Sequence, residues 1–96
     1  MIAAGTAEEQ AAARKRILNR LRRAQGQLTA VVNAVESGAT CRDVVTQLAA
    51  VTSALDRAGF AIISSAMQVC VVDPDAAVEA EGLTPEELEK LFLSLA

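Results

Sequence analysis

A cysteine stands near each end of one long apolar-periodic stretch, Thr40 to Val72. Between Cys41 and Cys70 runs a seam of Val44, Leu48, Val51, Leu55, Ala58, Ile62, Ser65 and Val69, spaced alternately four and three. That is the heptad pattern of a helix that packs along its whole length against other helices. It predicts one helix over about 41–72. The cysteines are 29 positions apart, 41 to 70. At about 1.5 Å of rise per residue a continuous helix holds them roughly 43 Å apart, so they cannot meet within one chain. They can meet between two chains if the partner helix runs antiparallel and Cys41 of one protomer faces the partner's Cys70. Two-fold symmetry then makes two such pairs. The axis would pass between Leu55 and Asp56, where the small residues Ala54, Ala58 and Gly59 would let two backbones approach. The competing reading is that both cysteines are ordinary core residues, as free cysteine often is.

The rest of the chain is read from its caps. Met1 to Thr6 has no periodicity and is expected to be a disordered tail. A first helix is expected over about 7–36, with Glu8 and Glu9 at the positive end of its dipole. Its seam is Ile17, Leu21, Ala24, Leu28, Val31 and Val35, again in heptad steps. Ser37 and Gly38 end it, Gly38 as a left-handed cap. Thr40 caps the second helix, with Asp43 three residues later. That puts Cys41 at the first helical position, where the helix N-terminus favours the thiolate. Cys41, with Arg42 beside it, is therefore expected to be the more reactive thiol. Asp73-Pro74 breaks the second helix, and a short helical turn is expected to follow through Glu81 to Gly82. A third helix is expected over about 85–95, with Thr84 as cap, Pro85 at its first position and Glu87 closing a capping box. Leu88, Leu91, Phe92 and Leu95 form its apolar face. The fold class is thus all-α, a single domain of 96 residues with two long helices and one short one. Two such chains would make an antiparallel four-helix bundle. Composition agrees, since a chain this short is 52% hydrophobic with only two aromatics, which suits a helical oligomer better than a monomer.

Charge narrows the function. The net charge is −3, yet residues 1–57 hold eight basic against five acidic residues, and residues 58–96 hold Lys90 against seven. Arg14, Lys15, Arg16, Arg20, Arg22 and Arg23 crowd into ten positions. The plain explanation is a solvated helix face. The sharper one is a set of phosphate contacts, each adding salt-dependent affinity for nucleic acid. No hydrolase or nucleotide-binding motif is present, and there is no histidine, so neither the commonest general base nor the commonest ligand for harder transition metals is available. An enzyme is not expected. The longest uncharged stretch, Ala58 to Val72, is 15 residues, short for a membrane span. With no signal sequence evident, the chain is expected to be cytoplasmic, where a thiol pair is reactive or metal-binding more often than structural.

Arg20-Leu-Arg-Arg-Ala-Gln-Gly26-Gln27, then Cys41-Arg-Asp43-Val44-Val-Thr-Gln47-Leu48-Ala-Ala-Val51, then Ala54-Leu55-Asp-Arg57 resemble the copper-sensitive operon repressor family of bacterial transcriptional repressors. The resemblance covers about residues 14–95. It implies an all-helical dimer that pairs into a tetramer, a dimer of dimers. It also implies operator DNA bound without a reading helix and released when an effector modifies the cysteine site between protomers. Arg20 and Arg57 correspond to basic residues that contact operator DNA in the family. Cys41 and Cys70 correspond to two of three Cu(I) ligands. The copper sensors carry a histidine four residues before the second cysteine, and here that position is Ala66. A tyrosine common before the first cysteine is here Thr40.

Loss of the histidine redirects the chemistry. Cu(I) is soft and accepts two thiolates, with Met67 as a weak third donor or, more simply, a core residue. Two facing thiols without imidazole are closer to the family's persulfide-sensing branch, in which one thiolate attacks the sulfane sulfur of a persulfide or polysulfide and the other thiol resolves it. The formaldehyde-sensing branch fits less well, since it needs a proline where this chain has Ile2. The expectation is a DNA-binding repressor whose Cys41 and partner Cys70 sense reactive sulfur species. Its operator contacts would be drawn from Arg14, Lys15, Arg16, Arg20, Arg22, Arg23 and Arg57. The alternatives are a Cu(I)-sensing repressor and a thiol-based copper or sulfur buffer that binds no DNA.

Overall fold

The structure is a computed structural model. It describes residues 6–73, 75, 78–79 and 82–95, and only the backbone of 69, 70 and 72. Three helices lie wholly among the described residues, α1 (Ala7–Glu36), α2 (Cys41–Val72) and α3 (Pro85–Leu95), and residues 75, 78 and 79 are helical as well. No strand occurs among them, so the fold is all-α as the periodicity predicts. The expected tail falls outside the described residues up to Gly5, as does most of the turn expected through Glu81. Thr6, which aperiodicity assigned to the tail, is instead the N-cap of α1. Its hydroxyl accepts from the Glu9 N–H at 3.1 Å, and its own N–H donates to the Glu9 carboxylate at 3.5 Å. Thr6-Ala-Glu-Glu9 is the signature that a capping box requires.

Each further boundary has a local cause. At the end of α1 the Gly38 N–H donates to the Val35 carbonyl at 3.2 Å, and the Ala39 N–H donates to the Ala34 carbonyl at 2.9 Å. That pair of bonds needs a left-handed residue between them, and Gly38 supplies it at φ +75°. Thr40 then caps α2, its hydroxyl accepting from the Asp43 N–H at 3.2 Å. Thr84 and Glu87 close the reciprocal box of α3, both bonds at 3.2 Å.

A four-residue connection, 37–40, folds α1 back along α2. Their contact consumes half of each predicted seam. Ile17, Ala24 and Val31, one per heptad, are buried on α1, and Val51 and Ala58 on α2. The alternate seam positions are not covered: Leu21, Leu28 and Val35 on α1, and Leu48 and Leu55 on α2, are 37–61% exposed. α3 lies on the C-terminal half of α2, where Leu88 closes a small cluster with Ile63 and Ala66, flanked by Leu83. The Phe60 and Phe92 rings meet edge to face at 5.7 Å.

α3 also settles what the small residues of α2 are for. Sequence reasoning put Ala54, Ala58 and Gly59 at a crossing between two chains. Here Ala58 is 1% exposed within the chain's own core. A Cβ on Gly59 would come within 3.0 Å of Leu95 Cδ1, and Ala54 lines a groove described below. The chain itself already covers Ala58 and the Gly59 side of α2, while the Ala54 side stays open.

The molecule measures 52 × 28 × 14 Å, with a radius of gyration of 16.6 Å. A compact chain of this length would have about 12–13 Å. The thickness is close to that of a single helix with its side chains. Domains ordinarily bury their apolar faces between at least two layers, and this chain supplies one.

Candidate DNA-binding and thiol-sensor site

The two broad faces of the α1–α2 hairpin differ in character. On one, a groove runs between the helices with Ala50 and Ala54 on its α2 side. Arg16, Arg20 and Arg23 line it from α1 and Arg57 from α2. On α1 these arginines recur at steps of four and three, which keeps them on one side of the helix. All four are exposed, and among the described residues none is paired with a carboxylate. The groove therefore presents four uncompensated positive charges, the electrostatic footprint of a polyanion site. A second recess, reaching Ala13, Ser64 and Gln68, shares Arg16 and Arg20 with it.

The basic cluster of the sequence is thus divided. Arg16, Arg20, Arg23 and Arg57 come together. Arg14 and Lys15 are exposed but line neither recess. Arg22 is on the other broad face, beside an apolar groove lined by Leu18, Leu21, Leu28, Val51 and Leu55. Sequence reasoning missed Asn19, Gln27 and Ser53, which share the arginine groove. The signal was available, since 16, 19, 20, 23 and 27 follow helical spacing, but uncharged residues attract no notice in a charge count. Gln27 is half-buried in the helix contact. Its Oε1 and that of Gln47 are shielded from solvent without a hydrogen-bond donor among the described residues.

Cys41 is a free, exposed thiol at the first position of α2. It stands seven and fourteen positions before Leu48 and Leu55, on the same stripe of uncovered apolar residues. Cys70 lies in the last turn of α2, and its side chain is outside the described residues. The chain does not bring the two cysteines together, because one helix separates them. Among the described residues no three His, Cys, Asp or Glu side chains converge where an ion could be held. Ala66, at the position of the copper sensors' histidine, is 6% exposed and packs in the α2–α3 cluster. Met67 is not core: it is 47% exposed and borders an apolar groove with Val71, Leu88 and Phe92. No helix among the described residues is long and apolar enough to cross a membrane.

A single helical layer with a cationic groove on one side and an uncovered leucine stripe on the other suits a regulator that assembles with itself and binds a polyanion. The chain matches the metal-sensitive transcriptional repressor family over residues 13–94 and belongs to it. This is a family of transcriptional repressors, not of enzymes. Among curated proteins it is similar to the copper-sensing transcriptional repressor CsoR of Mycobacterium ulcerans, 42% identical over 53 residues, 55% of this chain and 45% of that protein. It is also similar to CsoR of Mycobacterium tuberculosis strain H37Rv, 36% identical over 63 residues, 66% of this chain and 53% of the relative. CsoR of Bacillus subtilis is 30% identical over 73 residues, 76% of this chain and 72% of the relative. The chain spans about half the length of the mycobacterial relatives it matches. No solved structure matches it.

Proposed function

We propose that this chain is a cytoplasmic, operator-binding repressor that works as a dimer or dimer of dimers, and that Cys41 with the partner's Cys70 senses reactive sulfur species. The carrying observation is the division between the two broad faces. The leucine stripe has no cover within the chain, and a second copy laid antiparallel on it would complete a four-helix bundle. That arrangement buries Leu21, Leu28, Leu48 and Leu55 and leaves the arginine grooves outward on both sides, open to DNA. It also brings Cys41, on the same stripe, toward the far end of the partner's α2. The apolar groove beside Met67 and Phe92 is a natural seat for the second dimer.

Buried Ala66 favours sulfur over copper, because the third donor of the copper sensors is missing and the position is enclosed by α3. The chemistry balances without a metal. The Cys41 thiolate attacks the terminal sulfur of a persulfide RSSH, giving a Cys41 persulfide and releasing RS⁻. The thiolate of the partner's Cys70 attacks the inner sulfur of that persulfide, forming a disulfide between protomers and releasing HS⁻. Two thiolates lose two electrons and the sulfane sulfur gains them. Bridges at both ends of the paired α2 helices would alter the spacing of the two arginine faces, which couples effector to DNA. A second reading, Cu(I) held by the two thiolates, draws on the copper-sensing relatives.

The test is intact mass under non-reducing conditions after anaerobic treatment of reduced protein with a polysulfide donor. A covalent dimer, absent in Cys41→Ser and Cys70→Ser and accompanied by loss of operator binding, is the expected result. No crosslink would sink the sulfur mechanism and turn attention to anaerobic Cu(I) titration. Operator binding should be lost in Arg20→Ala with Arg57→Ala, and a chain that binds no operator at all would favour a thiol buffer.

A further inference from the structure

The chain holds no tryptophan, tyrosine or histidine, and its two methionines are Met1 and Met67. Apart from the cysteines, Met67 is thus the one readily oxidised side chain in α1, α2 or α3. A thioether ordinarily fills gaps in a core, but this one is exposed. It borders the groove between α2 and α3 with Val71, Pro85, Leu88, Glu89 and Phe92. Val71 and Phe92 are exposed too, as are Leu91 and Leu93 on α3. They form a second uncovered apolar surface, distinct from the leucine stripe.

This groove suits a thioether and not a sulfoxide. Oxidation turns a weak acceptor into a polar side chain with a new oxygen. None of the side chains of Val71, Pro85, Leu88 and Phe92 can donate to that oxygen, and Pro85 has no backbone N–H. Glu89, the remaining lining residue, only accepts when ionised. In the open groove water would satisfy the oxygen. Beneath the apolar face of another chain it would have no donor, and burying a polar group unpaired is unfavourable. Resting on the reading above that the second dimer seats in this groove, we infer that Met67 is an oxidation site for peroxides that governs the pairing of dimers. A lone pair on the Met67 sulfur attacks one oxygen of hydrogen peroxide. The O–O bond breaks, an S–O bond forms, and the other oxygen leaves as water. Sulfur loses two electrons and the peroxide gains them. A sulfane sulfur has no oxygen to transfer, so this channel is separate from the cysteine pair. Only an uncovered groove admits the oxidant, so the sulfoxide and the second dimer exclude each other. Peroxide thereby loosens the assembly that brings several arginine faces to one duplex.

The test treats the full-length chain with hydrogen peroxide and then with excess dithiothreitol, which returns disulfides and sulfenic acids to thiols and leaves methionine sulfoxide in place. Fragmentation mass spectrometry should find one added oxygen on Met67, forming more slowly as protein concentration rises and tetramers fill the groove. Sedimentation should show dimer–dimer association weakened by about tenfold or more, with the dimer and its helical circular dichroism retained. Treatment with methionine sulfoxide reductase should restore the association. Met67→Leu has no thioether, so its association after peroxide and dithiothreitol should equal its own value before them. Association unmoved by complete oxidation of Met67 would overturn the inference. So would a sulfoxide that forms only in the unfolded chain, or a Met67→Leu variant that responds to peroxide as wild type does. A chain that forms nothing larger than a dimer before treatment would overturn the seat for the second dimer itself, a different failure from a tetramer indifferent to the sulfoxide.

Discussion

Ala66 rests in the cluster of Ile63 and Leu88 with 6% of its surface exposed. An imidazole would have to enter this enclosed cluster, so Ala66→His is expected to cost roughly 1–3 kcal/mol through overpacking. A thermal midpoint equal to wild type would mean that α3 yields easily. Two glycines test packing of another kind. Gly26 lies mid-helix with nothing within 4 Å of an added Cβ. Gly26→Ala should therefore stabilise by about 1 kcal/mol through helix propensity alone, read in urea titration. A fall instead would locate a second chain against that position. Gly59 is the opposite case, since its added Cβ meets Leu95 Cδ1 at 3.0 Å. The sequence put Gly59 at an expected crossing between two chains and Gly26 within the Arg20–Gln27 motif. Only the fold distinguishes the open one from the one that seats α3.

At the scale of the element, α3 is the part most dependent on its cap. Eleven residues are too few for an isolated helix in water, so α3 survives by docking Leu88 and by the Thr84–Glu87 box. The Glu87 carboxyl is held below its ordinary value of 4.5, first because it accepts from the Thr84 backbone N–H and then because of the Thr84 side chain. A depressed folded-state value means that the carboxylate's contribution is complete above the unfolded value and is lost as pH falls through the lowered one. Helicity of α3 should thus weaken below pH 4.5, not in the neutral range. The measurement is thermal unfolding between about pH 6 and about pH 3, where Glu87→Gln, which removes the titrating carboxyl, should flatten this part of the acid dependence. An unchanged acid profile in that variant would remove the cap from the explanation. This much was legible beforehand, because capping boxes are three-residue events. The equivalent box at Thr6–Glu9 was overlooked only because the tail before it has no periodicity.

For the whole molecule the decisive quantity is thickness. A slab 14 Å deep leaves Leu55 49% exposed, near the axis expected for an antiparallel pair. Leu55→Glu would set two carboxylates against each other across that axis and strip the face of its central leucine. Sedimentation should find monomers, and operator binding should fall because two arginine faces would no longer act together. A variant that stays dimeric would require the chains to meet through another surface, with the groove beside Met67 and Phe92 the next candidate. Among the basic residues the sequence could group six by proximity along α1. Proximity could not anticipate that Arg22 turns to the leucine side, and it was the family resemblance that joined Arg57, more than thirty positions away, to the cluster, where it lines one groove with Arg16, Arg20 and Arg23.

Local chemistry was enough to decide where each helix begins and ends and which residues are apolar at heptad spacing. Caps act over three or four positions and periodicity over one or two turns, so both are written in the chain order. Which half of each seam is spent on the chain's own hairpin, and which is left for another copy, depends on how α1 and α2 are rotated about their axes when they pack. That rotation is chosen by contacts between residues twenty to forty positions apart, such as those that bury Ile17, Ala24, Val51 and Ala58. No local pattern encodes it, and from it follow the arginine groove on one side, the leucine stripe on the other, and the seat of α3 on Gly59.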